Sequence, residues 1–344
     1  MEISDTEPPG NVISIPLLHY IPKNQENNYF YRNGLSKLIP RLTVKVHSNI
    51  EECFTLWEEF SPKKSLFDLW DFRFAWYQGY GYQPYFYTLY ERQKPLGVLP
   101  LWYSKHRKKY LWFGSDWMED NTFFVKDEKL IDVLFEIAPN PLLLNAIEVN
   151  SDWSKKKIFN QLKYDDPKNL KDISQVNSMD ELLQSFDKKD RYNLKADYYR
   201  IEGLNPRVKV IKTNNDKHFD KLAKMNILRF STRLDDESDL LDKDRLRTYR
   251  NIIKNSGVYK TQFVEIHIQK HLAAIDLVIT YKDKYYMVKG GNDLDRFKGI
   301  GNFLLYYEFK EAIENGFSLV DCLQVDYGWK HRYFDQIPVY TLEK

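Results

Sequence analysis

Hydrophobic and polar positions alternate with period two over residues 42–46, Leu-Thr-Val-Lys-Val, which predicts a strand with one face in a core. Upstream, residues 1–41 are rich in Asn, Pro and polar side chains and read as an extension that wraps the surface or is loosely ordered. Downstream the period becomes helical over 51–60 and over 65–80, the second stretch carrying Leu66, Leu69, Trp70, Phe72, Phe74, Trp76 and Tyr77. Apolar runs at 85–90 and 96–101, joined by Glu91-Arg92-Gln93-Lys94, predict a hairpin. Strands over 110–113 and 121–125, a helix over 130–138 and a buried strand over 142–149 complete this first set.

The polar stretch 163–169 reads as a linker, and beyond it the order of elements repeats loosely. Ser178-x-x-Glu181 is a capping box opening a helix over 178–201. A strand over 207–211, helices over 218–230 and 240–255, a hairpin over 259–269 and 271–281, and a strand over 284–289 follow, Gly290-Gly291-Asn292-Asp293 being strand-stopping residues. Another helix runs from Ile300 to a C-terminal cap at Gly316, then come a strand over 319–325 and a last one near Val339. The repetition predicts two related α/β domains with mixed sheets, over residues 42–165 and 171–344.

Composition changes this picture little. With 344 residues, 43% of them hydrophobic, the chain can bury two ordinary cores, and its net charge of +2 gives no field that would steer it to nucleic acid. The basic runs 105–109 and 155–157 read as solvated loops. Two cysteines, Cys53 and Cys322, are too few for a disulfide scaffold and lack metal-ligand spacing, so no metal is expected. The start of the chain has no basic n-region or apolar run, and no segment approaches a membrane span, so the expected compartment is the cytoplasm.

The sharpest chemical signal is Arg296-Phe297-Lys298-Gly299-Ile300-Gly301, set between a strand and an amphipathic helix. Two glycines at a helix start admit close backbone approach, and the free amides and helix dipole there favour an anion. The turn lacks the Gly-Lys-Ser/Thr of a Walker loop and the third glycine of a Rossmann fingerprint. It resembles motif A of the GNAT acyltransferases, Gln/Arg-x-x-Gly-x-Gly/Ala, with Arg296, Gly299 and Gly301 at the fixed positions.

With residues 94–101, Lys188-Lys189-Asp190-Arg191-Tyr192-Asn193-Leu194-Lys195, and Val320-Asp321-Cys322-Leu323 leading into Tyr327-Gly328-Trp329-Lys330, that turn makes the chain from about residue 45 onward resemble the GNAT-type acyltransferase family typified by the cellulose-biosynthesis protein CelD. It is also similar to the Fem peptidyltransferases. The resemblance implies two tandem GNAT-like domains, of which only the second carries the glycine turn; the first has Val125-Lys126-Asp127-Glu128-Lys129 in the equivalent place. It further implies acyl-coenzyme A as co-substrate, held by Lys289, Arg296, Lys298, Gly299, Ile300, Gly301 and Asn302. The chain departs from the family where Gly-Asp-Glu often precedes the Tyr-Lys pair.

Acyl transfer to an amine needs a proton acceptor and a donor to the leaving thiolate. Asp276, in an apolar strand with Leu272, Ala274 and Val278 on its face, is one candidate base, Asp321 and Asp326 are rivals, and Tyr327, with Lys330, is the candidate acid. Trp117, Asp120, Asn121, Arg191 and Lys195 are candidates for holding a small-molecule, glycan or peptide acceptor. The alternatives are a Fem-like enzyme using aminoacyl-tRNA and a non-catalytic binding module of an envelope pathway. No Gly-x-Ser-x-Gly elbow is present.

Overall fold

The computed structural model describes residues 14–17, 35, 37–114, 118–150, 153–154, 156–231 and 237–344. They form two compact units, each assembled from separated pieces of chain: unit 1 from Met1–Lys63, Tyr82–Tyr164 and Tyr340–Lys344, and unit 2 from Lys64–Gly81 and Asp165–Val339.

In unit 1 the strands Ser14–Pro16, Leu42–His47, Pro84–Glu91, Lys94–Ser104 and Lys109–Trp112 lie side by side in that order, all antiparallel. The predicted alternation holds, with Leu42 and Val44 buried. The helix Ile50–Phe60 is capped by Asn49, whose side chain accepts from the amides of Glu51 and Glu52. Its Trp57 packs on Phe86, Phe113 and Phe124. Lys163–Tyr164, expected to be linker, is instead an edge strand beside Tyr340–Glu343, which pairs on its other side with Leu143–Ile147. The strand expected over 121–125 shortens to Phe124–Val125. Ahead of the helix Ile131–Ile137, Asp127 caps a 3-10 turn by accepting from the Lys129 amide.

In unit 2 the helices are α1 (Trp70–Tyr80), α2 (Met179–Gln184), α3 (Lys188–Glu202), α4 (Lys217–Ser231), α5 (Lys243–Lys254) and α6 (Ile300–Glu314). The strands are β1 (Lys168–Asp172), β2 (Arg207–Lys212), β3 (Lys260–Ile268), β4 (His271–Tyr281), β5 (Lys284–Asn292), β6 (Leu319–Asp321) and β7 (Asp335–Ile337), in the spatial order β2-β3-β4-β5-β6-β1-β7. Only β5 and β6 pair in parallel, as a crossover through α6 requires. Among the described residues no helix is long and apolar enough to cross a membrane.

The elements of unit 2 depart from the sequence pattern in four places. The helix over 65–80 starts late, because Leu69 is extended and Asp68 closes a capped 3-10 turn before it. The helix over 178–201 is two helices, broken where Phe186 turns into the core against Phe309 and Tyr333. The capping serine behaves as expected, accepting from the Glu181 amide, but the Glu181 carboxylate reaches back to Asn177. The strand over 284–289 continues to Asn292 through both glycines: a β-carbon on Gly290 would collide with the Asp276 carboxylate, and one on Gly291 would sit 2.9 Å from the Asn226 amide of α4. The strand over 319–325 stops at Asp321. The expected cap at Gly316 forms, its amide donating to Ile313 and that of Phe317 to Ala312, with φ +73° at the glycine.

Candidate active site

The glycine turn is where the sequence placed it, closing the link from β5 to α6. Gly299 takes the left-handed conformation, φ 90° and ψ 0°, and no side chain caps α6. At Gly301 the nearest atoms to an added β-carbon are 3.6 and 3.9 Å away, so packing does not demand a glycine there. Lys298 is exposed, and Ile300 is buried, its amide bonded to Phe297. The Arg296 backbone is held by Asp293 Oδ1 at 3.0 Å and its guanidinium lies 3.0 Å from His271 Nδ1. The turn also has a neighbour no motif announced: Asp197 of α3 accepts from Asn302 Nδ2 at 2.7 Å and pairs with Arg200.

Beyond the turn, the sheet opens. Strands β5 and β6 pair at only three positions, Lys284 with Leu319, Tyr285 with Val320 and Tyr286 with Asp321. Past them β5 runs on to Asn292 while β6 has ended, and β5 carries a bulge at Val288, where Leu277 faces Lys289 but Val278 faces Met287. A bulge leaves a residue unpaired and turns the strand locally. Asp276 lies one strand over, opposite Gly290. Its environment pushes its proton affinity up to about 7, chiefly through desolvation, opposed by Arg229 and by a backbone hydrogen bond from Gly291.

The loop after β6 is tightly wound. Leu323, Val325 and Tyr327 all have positive φ, at 62°, 62° and 49°, each costing a non-glycine residue on the order of 1–2 kcal/mol. Lys330 holds it: Nζ is buried and donates to the carbonyls of Cys322, Leu323 and Gln324. That engagement makes Lys330 a clamp for the loop. Asp321 Oδ1 accepts from the Leu323 amide. Asp326 accepts from the His331 amide at 3.0 Å and from its Nδ1 at 2.5 Å; burial raises its carboxyl, but these bonds outweigh it and leave the group below the usual range, a poor proton acceptor. Tyr327 is exposed, with its ring 5.8 Å from Lys330 Nζ. Burial pushes the Cys322 thiol up to about 12 and raises Cys53 as well, so both thiols favour the protonated form.

Residues 188–331 match the family model described as Acetyltransferase (GNAT) domain. The fold also resembles solved structures. FemX aligns over 87% of this chain and 94% of its own, with TM-score 0.54 and 14% identity. L-PGS from Bacillus licheniformis aligns over 86% and 92%, at TM-score 0.53 and 13% identity. A tandem GNAT protein from the clavulanic acid biosynthesis pathway aligns over 88% and 98%, at TM-score 0.51 and 8% identity. A search of curated proteins finds no match. The fold is thus a mixed α/β arrangement of tandem GNAT type, and the domain match supports an N-acyltransferase.

Within the GNAT-type domain two expected ligand residues are otherwise engaged. Lys289 pairs with Asp239, which also accepts from Arg245 at 2.8 Å; burial raises the Asp239 carboxyl, but the two cations hold it below its usual value. Lys195 reaches Asp180 at 3.3 Å, and Arg191, four residues earlier on α3, is half-buried. Asp120 and Asn121 belong to unit 1, where Asn121 is buried and donates to the carbonyls of Met118 and Asn145, a structural role; Trp117 lies outside the described residues. Among the described residues no group of three or more His, Cys, Asp or Glu is arranged to hold a metal ion. Sequence reasoning missed Asp197, Asp239, Arg245 and Glu308, since their roles come from elements far apart in the chain.

Proposed function

We propose that this protein transfers an acyl group from acyl-coenzyme A to an amine of a sugar, amino acid or peptide, in keeping with the CelD-like motifs, and that the donor is held by unit 2. The observation that carries this reading is the uncapped start of α6, with glycines at 299 and 301, beside the gap where β5 outruns β6. The amides of that helix start and the positive end of its dipole suit the pyrophosphate, and Arg296 and Lys298 add charge at the rim. The backbone of β5 near the bulge supplies N–H groups for the thioester oxygen, Asp276 takes the proton of the amine, and Tyr327 protonates the thiolate. Isothermal titration with acetyl- and longer acyl-coenzyme A tests the donor. A folded protein that binds none of them would remove this reading.

One observation favours a second reading. Asp197 places a carboxylate against the glycine turn, where a pyrophosphate would meet like charge. A Fem-like enzyme that takes its acyl group from aminoacyl-tRNA would not need a free phosphate cradle. Affinity for aminoacyl-tRNA that falls steeply with added salt, as counterion release demands, together with no affinity for coenzyme A, would establish that reading over the first.

A further inference from the structure

A second acid on α6, on which the charge of Asp276 acts, is left unused by the reaction above. Glu308 faces the sheet from α6 and is wholly buried, and neither of its oxygens meets a hydrogen-bond donor among the described residues. Its near neighbour shows the contrast: Glu311 accepts from Gln262 Nε2 at 3.0 Å and from the Tyr285 hydroxyl at 2.8 Å. A carboxylate with no donor in an apolar interior is so costly that the group keeps its proton. Burial, with the charges of Asp276 and Glu311, holds Glu308 well above the usual carboxyl range. Room for two acids under one helix is built into the backbone, because only a glycine at 290 leaves space for the Asp276 carboxylate. The other titratable or charged groups acting on the pair are Arg229 of α4, Tyr285 of β5, Glu311 of α6, and Cys322, which is itself influenced by Asp321 and Lys330.

We propose that Asp276 and Glu308 form a two-carboxyl acid–base centre, in which Asp276 is the ionising member and Glu308 a permanently neutral one whose O–H turns to Asp276 when that residue is charged. This rests on the acyl-transfer reading. In the step itself the acceptor ammonium gives one proton to the Asp276 carboxylate, the freed amine nitrogen bonds to the thioester carbonyl carbon, the C–S bond breaks with its electron pair going to sulfur, Tyr327 gives the thiolate its phenol proton, and the nitrogen, now that of an amide, returns its surplus proton to Tyr327. The O–H of Glu308 is neither made nor broken. Glu308 is therefore a positioning residue: by offering a hydrogen bond to the ionised form it keeps Asp276 deprotonated at neutral pH. An unpartnered buried acid is also a burden on stability, retained where function needs it.

The test is the pH dependence of kcat/KM in the full chain for the wild type, Glu308→Gln and Glu308→Leu. Glutamine still offers an N–H to Asp276, so its acid limb stays near that of the wild type. Leucine offers nothing, so its acid limb moves up by about one pH unit and the rate at pH 7 drops about fivefold, while its melting temperature stays at or above the wild-type value. Infrared spectra give a readout apart from turnover: a protonated carboxyl band persists at pH 9 in the wild type and is lost in both variants. An unmoved acid limb in Glu308→Leu, or no such band, overturns the proposal. A band in place with no turnover of any acyl-coenzyme A sinks the transfer reading instead, and with it the role of Asp276 as proton acceptor.

Discussion

Asp197 of α3 lies against Gly299 of α6, so close that a β-carbon on the glycine would sit 2.7 Å from its Oδ1. A carboxylate from a neighbouring helix thus stands at the positive end of α6, where the helix dipole favours it although it bonds the Asn302 side chain and not a helix amide. Arg200 neutralises it in part. If the turn receives a phosphate, Asp197→Asn should raise affinity for acyl-coenzyme A several-fold, because one like charge is worth on the order of 1 kcal/mol at a partly exposed site. Titration calorimetry on both proteins decides it, and weaker binding by the variant would count against the turn as a phosphate site.

The two glycines of the turn should respond differently to Val. Gly301→Val meets only ordinary contacts, so it should keep the melting temperature and weaken donor binding at least tenfold. Gly299→Val forces a β-branched residue into φ 90° and into Asp197, so it should cost stability as well. Equal melting temperatures for the two variants would contradict this division.

Glu265 of β3 receives hydrogen bonds from His218, Lys221 and His267, at 2.7, 2.9 and 2.8 Å. Burial raises its carboxyl, but these three donors prevail and bring it down to about 2. A depressed carboxyl stabilises the fold above its unfolded value of about 4.3 and loses that contribution as the pH falls towards 2. Glu265→Gln should therefore unfold more easily at pH 7, by on the order of 2–3 kcal/mol, with the difference shrinking below about pH 4. Urea melts at pH 7 and pH 3 measure it; a gap that does not change with pH would be the wrong result.

Asp276 has the opposite sign. Its folded proton affinity is raised, so ionising it opposes folding, and stability should decline as the pH rises from about 4 through about 7. Asp276→Asn should thus be the more stable protein at pH 8, while losing at least a hundredfold in kcat if the residue is the base. Thermal melts paired with rates at one pH separate the two effects, and an active variant would clear Asp276 of the role.

Replacing Lys330 by Met removes the donor that binds three carbonyls in a buried place. Each unmet carbonyl costs on the order of 1 kcal/mol, so a loss of about 2–4 kcal/mol is expected, with proteolysis within residues 322–330 increased. Normal stability with lost activity would return Lys330 to the chemistry.

Local pattern alone determined the parts of this protein whose causes are local. The alternation at Leu42–His47, the β3–β4 hairpin, the glycine turn and the Gly316 cap were legible because period, turn chemistry and capping act within a few residues. Tertiary structure decided the rest. Gly290 and Gly291 read as a strand stop, yet they continue β5, because what they answer to is the carboxylate of Asp276 and the backbone of α4. Lys330 read as a companion of the candidate acid Tyr327 and Lys289 as a ligand of the co-substrate, and their partners are carbonyls after β6 and Asp239 before α5. Asp197 and Glu308 carried no signal at all, since a carboxylate in a helix is ordinary until a turn or a second acid from another element is packed against it. Charge and burial at a site are sums over everything that folding brings near, and no window along the chain contains those terms.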